Sequence, residues 1–591
     1  MEAFSGRLAL KDTKRQLSYH SLDEVTNGIA WEVLGTVANG PVAIFVEHGT
    51  AVAIAMLGAI KAGRPYVPVE PAYPERRIRE MLADFEPRAI LTDSVNLERA
   101  RALGLQCIDV ENLAGRRDAP SVQVAPDALC YILYTSGSTG RPKGVMQTHS
   151  NVLHNVMKYS NGARITNEDR LLLLASASFS QSVSDIYGAL LNGAALLPFS
   201  LREEGIARLS DWIDEQEVTI YHSVPTVFRH LLRQSGSRIF RSVRLVKLGG
   251  EAVYRSDAEL FREHFGRDSV FHVGYGATEM NIIRQYFLTP GDELPTSVMP
   301  VGYEVEDTQI VLVTECGEEV RAGEVGEIII RSRYLSPGYW RRPELTQATF
   351  SAVPGEGGVT SYRTGDLGRL RPDGCLEHRG RRDAQVKVRG HRIELGEIEA
   401  VLDGLGLVGS AAVVPRESKT RDIHLVCFFV PLPKTPAPSA VRQILSERLP
   451  DFMVPSAFIP VESMPLTATG KIDRHTLSDV AEAEREKGRA SGSPRNAVES
   501  ALARIWAHVL EVERVAIDDD FFEIGGHSLL ATEVVAHVRK EFGIDLPLRA
   551  LFESPTVVGL SELIVQKLAE ALSEDELTQL LAEAEATVGR S

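Results

Sequence analysis

Fifteen residues from Tyr131 to Val145, YILYTSGSTGRPKGV, gather small and hydroxyl side chains around a basic residue. Gly137 and Gly140 let the backbone turn tightly and aim N–H groups at anionic oxygens, and Thr135, Ser136, Ser138 and Thr139 add hydroxyl donors. Lys143 contributes a positive charge on a long stem, so the chemistry offered is that of holding phosphates. The pattern GxxxxGK[ST] occurs nowhere, which argues against a nucleoside triphosphatase of the Walker type. A Gly/Ser turn standing alone is equally what a surface loop contains. Far downstream, FFEIGGHSLL sets Ser528 directly before an apolar helical run, where a serine ordinarily serves as a cap.

The elements that must position these residues read as α/β. Short apolar, β-branched runs at 41–46, 129–135, 243–250 and 326–332 alternate with helical stretches and have the character of buried strands. Two breaks interrupt the pattern: a Gly- and charge-rich stretch over 368–383, and AEAEREKGRASGSP over 481–494, which lacks apolar periodicity and reads as a linker. The segment 430–439 is Pro-rich and reads as a surface loop. Beyond the linker, Val498, Leu502, Ile505, Trp506, Val509 and Leu510 repeat at the spacing of one buried helical face. Leu529, Leu530, Val534, Val535, Val538 and Phe542 do so again from Ser528, and Leu560, Leu563, Ile564 and Leu568 mark a further helix, giving a small bundle. SEDE at 573–576 is a capping box that opens a separate amphipathic tail helix.

Composition narrows the class. A chain of 591 residues, 44% hydrophobic and 24% charged, is globular and too long for a single core. Its longest apolar run, 51–60, falls short of the roughly 18 residues needed to span a bilayer, and the start lacks the pattern of a secretory signal, so the expected location is cytoplasmic with no membrane partner. Cys107, Cys130, Cys316, Cys375 and Cys427 are scattered and nowhere spaced CxxC, which argues against a zinc or disulfide framework. Net charge is −16, and the acidic C-terminal region disfavours nucleic acid as a partner.

Around the phosphate-type loop stand IKAGRPYVPVEPAYPERR (60–77), VGYGATE (273–279), GYWRRPELT (338–346), SYRTGDL (361–367), GRRDAQVKVRGHRIELGEIE (380–399), LPDFMVP (449–455) and TGKIDR (469–474). In order and spacing these resemble the adenylation domains of nonribosomal peptide synthetases, within the adenylate-forming superfamily, over Leu17 to Arg474. DDFFEIGGHSLL resembles the attachment motif of peptidyl carrier proteins. The resemblance implies a large adenylate-forming α/β core at 1–382, a smaller α+β C-terminal subdomain at 383–480, a linker at 481–495, an all-α four-helix-bundle carrier at 496–570 and a tail helix at 571–591. It implies ATP, Mg²⁺ and 4′-phosphopantetheine covalent on Ser528, with Gly525 and Gly526 clearing space around it. Glu279 would bind Mg²⁺, Thr278 a phosphate oxygen, Tyr275 would lie against adenine, and Asp366 would accept the ribose hydroxyls with Arg381 nearby. Lys471 would bridge the substrate carboxylate and the α-phosphate, and Asp383 would be the hinge about which Lys471 leaves and the loop near Gly390 enters for thioester formation.

The acyl pocket carried over by motif is Ser180, Gln181, Ser184, His222, Val246, Leu248, Gly274, Ile282 and Ile283, closed by Lys471. Ser180 stands where the family places the aspartate that pairs an α-ammonium, and no acid appears among the others. An ammonium buried without a counter-charge costs several kcal/mol. The pocket therefore points to an aryl, hydroxy, keto or β-amino acid; an amino acid held by Ser180, His222, water or a relocated acid such as Asp185 is the alternative. The expected activity is ATP-dependent, AMP-forming ligation of a small carboxylic or amino acid to the chain's own carrier thiol. Expected partners are a phosphopantetheinyl transferase, a downstream condensation, tailoring or polyketide synthase enzyme, and an MbtH-like activator. An acyl-CoA ligase and a catalytically dead scaffold carrying a carrier domain are the competing readings, separated by coenzyme A as acceptor and by pyrophosphate exchange.

Overall fold

The computed structural model describes residues 2–571 apart from positions 38, 138–141, 296, 322, 383–384, 419–420, 434, 467–471, 475, 478–491, 511, 523 and 548. The chain divides into two compact units, Met1–Leu405 with Gln443–Met453, and Gly406–Arg442 with Val454–Ser591.

In the first unit, Val42–Phe45, Ala195–Pro198 and Leu245–Leu248 are buried along their whole length, the signature of strands covered on both faces by helices. A six-stranded sheet runs Cys107–Asp109, Ile90–Thr92, Val42–Phe45, Tyr66–Pro68, Leu129–Thr135, Lys143–Thr148. Its last two strands are antiparallel, with Thr135 opposite Lys143, so the Gly/Ser/Thr segment lies between them in the chain. A nine-stranded sheet carries Asn281–Leu288, Val270–Ala277, Leu245–Leu248 and Ile220–Ser223 side by side. One apolar core includes Ile44 and Leu91 of the first sheet, Leu171 and Leu196 of the second, and helix residues such as Ile29 and Ile54. Helix Thr50–Lys61 packs closely on Tyr19–Thr36 because Gly58 has no side chain: a Cβ there would lie 2.4 Å from Ile29 Cγ2.

A five-stranded antiparallel sheet completes the scaffold of this unit. Two of its strands, Thr360–Leu370 and Leu376–Arg381, occupy most of the stretch expected to be a break. The charges that suggested one are spent in cross-strand pairs, such as Arg369 with Glu377 at 2.7 Å. A two-stranded hairpin follows, Gln385–Val388 and His391–Glu394, turning through Arg389 and Gly390 at φ 51° and 79°.

The second unit holds a three-stranded sheet, Val408–Glu417, Ile423–Pro431 and Ala457–Pro460, and the expected helical carrier: Ala497–Val509, Ser528–Phe542, Arg549–Glu553 and Val557–Ala571. Asn496 caps the first helix, its side chain accepting from Glu499 N–H at 2.8 Å. Leu502, Trp506, Phe521, Val534, Val538 and Ile564 form the bundle core, with Trp506 edge-on to Phe521 at 5.0 Å. The tail helix expected from Ser573, most of the linker, the hinge Asp383 and Lys471 lie outside the described residues.

Candidate active site

The ends of several strands, with Thr135 and Ser136, converge on one cavity of about 180 Å³. Of the loop, Thr135, Ser136 and Gly137 are described, whereas Ser138, Thr139 and Gly140 are not. Thr135 Oγ1 is buried and has no hydrogen-bond partner among the described residues, a donor left available in the segment read as a phosphate holder. Lys143 lies over the Tyr339 ring at 4.4 Å, donates to its hydroxyl at 3.2 Å and sits 3.4 Å from Glu279 Oε1.

Glu279 is wholly enclosed at the turn between Val270–Ala277 and Asn281–Leu288. Tyr339 Oη donates to it at 3.0 Å and the Arg392 guanidinium lies 3.3 Å away. Burial pushes this carboxyl up, but the charges of Arg392 and Lys143 outweigh it and hold the group down to about 2. A carboxylate kept ionised inside the protein is the hard oxygen donor that Mg²⁺ takes, so the donor type fits that ion. Thr278 lines the cavity, its carbonyl accepting from Gln147 at 2.7 Å.

Asp366, on Thr360–Leu370, faces Arg381 across the strand pair and accepts from both Tyr275 Oη and Arg381 Nη1. Burial raises its carboxyl, and the His378 hydrogen bond with the Arg381 charge overcomes that and carries it well below the carboxylate range. Tyr275, Thr278, Asp366 and Arg381, expected around one nucleotide, line this cavity together.

The acyl side differs in register from the expectation. Ser180, Gln181, Ser184, His222, Gly274 and Ile282 line the cavity, whereas Val246, Leu248 and Ile283 do not. Side chains alternate along a strand, so a slip of one position exchanges the two faces. On Leu245–Leu248 it is Lys247 that shares the lining, with Gly249 just beyond, while Val246 and Leu248 are fully buried elsewhere. Ile283 belongs to a core with Val145, Tyr275 and Met280. Ser180 opens helix Ser180–Leu190, and Asn155 Nδ2 donates to Ser184 Oγ at 3.0 Å. The relocated acid is present but engaged: Asp185 accepts from His222 Nδ1 at 2.7 Å and from Tyr159 Oη at 3.0 Å. Burial, added to by the Lys247 charge, lowers the His222 imidazole to about 4 against the pull of Asp185.

The hairpin after Arg381 seats against the same cavity. Gly390 N–H donates to Glu251 Oε1 at 2.9 Å, and a Cβ on Gly390 would lie 2.5 Å from Val224 Cγ1. Ser136 Oγ donates to Arg392 O at 2.6 Å, and His391 stacks on Phe452 at 3.4 Å. The following helix brings Glu397, which accepts from Gly137 N–H at 3.1 Å and pairs with Arg77 at 2.5 Å. Sequence reasoning missed Lys247, Tyr339, Arg392 and Glu397. The last two stand in the GHRIELGEIE stretch, where a run of charges interleaved with Ile and Leu was the available signal.

In the second unit, helix Ser528–Phe542 begins at the serine singled out, and its cap is His527, whose side chain accepts from Leu530 N–H at 3.4 Å. The two glycines before it act differently from the expectation of clearing space. Gly525 serves the turn, at φ 110°, whereas a Cβ on Gly526 would lie 2.3 Å from Phe521 Cδ1, so Gly526 is needed for close packing.

Three family models match the chain: AMP-binding enzyme over residues 1–340, AMP-binding enzyme C-terminal domain over 397–471 and phosphopantetheine attachment site over 500–564. Among curated proteins it is 36% identical to tyrocidine synthase 3 of Brevibacillus parabrevis over 93% of this chain and 8% of that protein. It is 34% identical to tyrocidine synthase 1 of the same organism, over 94% of this chain and 51% of that one. The chain thus spans about half or less of these relatives. Among solved structures, holo-PA1221, an NRPS protein containing adenylation and PCP domains bound to a vinylsulfonamide inhibitor, matches at TM-score 0.77 and 24% identity, covering 95% of this chain and 94% of that one. Holo-AB3403, a four-domain nonribosomal peptide synthetase bound to AMP and glycine, matches at TM-score 0.56 and 29% identity, covering 94% of this chain and 41% of that one.

Proposed function

We propose, proceeding from the fact that this chain belongs to the AMP-binding enzyme family, that it activates a carboxylic or amino acid as the acyl-adenylate and loads it on its own carrier at Ser528. The observation that carries this is the convergence of Tyr275, Asp366, Arg381, Thr135 and Ser136 on one cavity, in a chain that also holds a matched phosphopantetheine attachment segment.

In the first step a substrate carboxylate attacks the α-phosphorus of ATP; the new C–O–P bond forms as the bond to pyrophosphate breaks. The nucleophile is already an anion, so no general base is needed and the work is alignment and charge neutralisation. Asp366 with Arg381 and Tyr275 would bind the nucleoside, and Lys143 with the Thr135 hydroxyl would face the phosphates. Glu279 would hold Mg²⁺, which supplies positive charge to the phosphate oxygens. Lys471 is assigned to the carboxylate and α-phosphate, and Asp383 to the hinge. In the second step the acyl group passes from the adenylate to a thiol, with AMP leaving and the thiol proton lost; the phosphopantetheine arm on Ser528 would supply that thiol, and the start of a helix suits its phosphodiester. The boundaries 382/383, 480/481, 495/496 and 570/571 belong to the same proposal, as do the transferase that installs the arm, the enzyme that receives the acyl group and an MbtH-like activator. Among the described residues no helix is long and apolar enough to cross a membrane; a cytoplasmic location is part of the proposal.

The test is pyrophosphate exchange together with the intact mass of the arm-bearing protein after incubation with ATP and a panel of acids. Ser528→Ala should leave exchange unchanged and abolish the acyl mass. Acyl transfer to free coenzyme A in preference to the carrier would overturn the carrier assignment.

A further inference from the structure

Lys247 is the one feature of the acyl side that the adenylation chemistry leaves unused. Its residue is only 3% exposed, yet its side chain lines the cavity. The ammonium lies 3.7 Å from the centroid of the Tyr159 ring, and among the described residues it makes no hydrogen bond and no ion pair. A ring face stabilises a cation but accepts none of its three N–H donors in full. The nearby acid does not take them either: the Asp185 charge acts on the amine, but Asp185 makes no hydrogen bond or ion pair with it among the described residues and accepts from His222 Nδ1 and Tyr159 Oη.

The neighbours sharpen the requirement. His222, Lys247 and His272 stand in register on three adjacent parallel strands. Burial lowers the Lys247 amine to about 8, so near neutrality it remains mostly charged. With His222 lowered to about 4, the imidazole is neutral, and its bond to Asp185 assigns the proton to Nδ1. Ser180, Gln181 and Ser184 add neutral polar groups along the same wall. On this wall Lys247 is thus a fixed cation that no described side chain pairs; the other lysine lining the cavity, Lys387, stands on the hairpin within the field of the Asp366 charge.

From this geometry, and resting on the adenylation reading above, we infer that Lys247 determines specificity: the acid activated here carries a side chain ending in an oxygen acceptor, a carboxylate or a carbonyl, which receives the Lys247 ammonium. A methyl or aryl end would desolvate the ammonium without pairing it, and an ammonium or guanidinium end would meet a like charge. Sites built to hydrogen-bond a substrate group reject analogues lacking it by about 10⁴-fold.

The experiment is pyrophosphate exchange by the full chain across acids of matched length ending in carboxylate, carboxamide or ketone, methyl, aryl or ammonium, each with and without an α-amino group. The best substrates are expected in the carboxylate or carbonyl arms, and which arm leads distinguishes the two acceptors. Lys247→Met should cut kcat/KM for the oxygen-ended acids by at least about 10²-fold and bring the methyl-ended acids level with them. Lys247→Glu should turn the preference towards ammonium ends. AMP binding, followed by its thermal shift, reports that each variant is folded; should neither fold, the wild-type panel decides alone. Best exchange with methyl-, aryl- or ammonium-ended acids overturns this inference and leaves adenylation standing, as does a Lys247→Met protein with the wild-type order. Exchange with no acid, with AMP binding intact, overturns the adenylation reading and this inference with it.

Discussion

Replacing Arg77 by methionine should separate the two half-reactions. Glu397 is 1% exposed at its side chain and, among the described residues, its carboxylate has two partners, Arg77 Nη1 at 2.5 Å and Gly137 N–H at 3.1 Å. Arg77→Met removes the first and leaves a buried carboxylate on a single backbone donor. Breaking one side of a buried pair costs about 3–5 kcal/mol. At about 1.4 kcal/mol per power of ten, the seated arrangement of the 385–397 segment would fall roughly 10²-fold or more relative to the free one. If that arrangement serves thioester formation, single-turnover transfer to the arm-bearing carrier should slow accordingly, while pyrophosphate exchange stays within about twofold. Arg77→Met combined with Glu397→Leu removes both charges, and apolar replacement of a whole buried pair is often neutral, so the double variant should recover transfer to within about tenfold. Equal loss of exchange and transfer in the single variant, or a double variant no better than the single, would refute the reasoning.

Gly390→Ala should act on the same step: its φ of 79° and a Cβ 2.5 Å from Val224 Cγ1 oppose any side chain, and about 1–3 kcal/mol of overpacking should appear as slower acyl transfer with normal exchange. Glu279 gives a pH signature. Its folded carboxyl is held to about 2 against an ordinary 4.5, so its ionised form stabilises the fold fully above 4.5 and loses that contribution as pH falls towards 2. The stability gap between the wild type and Glu279→Gln, read by urea midpoints, should therefore close across that window; a gap that widens on acidification contradicts the pairing with Arg392 and Lys143. Gly526→Ala should destabilise the carrier by about 1–3 kcal/mol through Phe521, seen as a lower melting temperature for the second unit and slower arm attachment at Ser528.

Much of this protein was legible from residues in order. The β-branched runs became strands because such runs, buried on both faces, have no other low-energy use. The helical carrier followed from apolar spacing, as Leu502, Trp506 and Val509 all face its core. Tyr275, Asp366 and Arg381, assigned to one nucleotide by resemblance of their motifs, do line one cavity together.

The acyl side was not legible to the same degree. Choosing Val246 and Leu248 over Lys247 was an error of a single position, and a strand converts one position into the opposite face. Nor could the chain order reveal that Asp185 is already held by Tyr159 and His222, or that Glu397 reaches Gly137 and Arg77. Sequence by itself determined which elements form and which residue types stand ready for phosphate and carrier chemistry, because those depend on local periodicity and turn geometry. Which charges pair, which stay unpaired and which side chain faces the substrate were decided only by tertiary packing, because electrostatic partners are chosen by distance through space and not by separation along the chain.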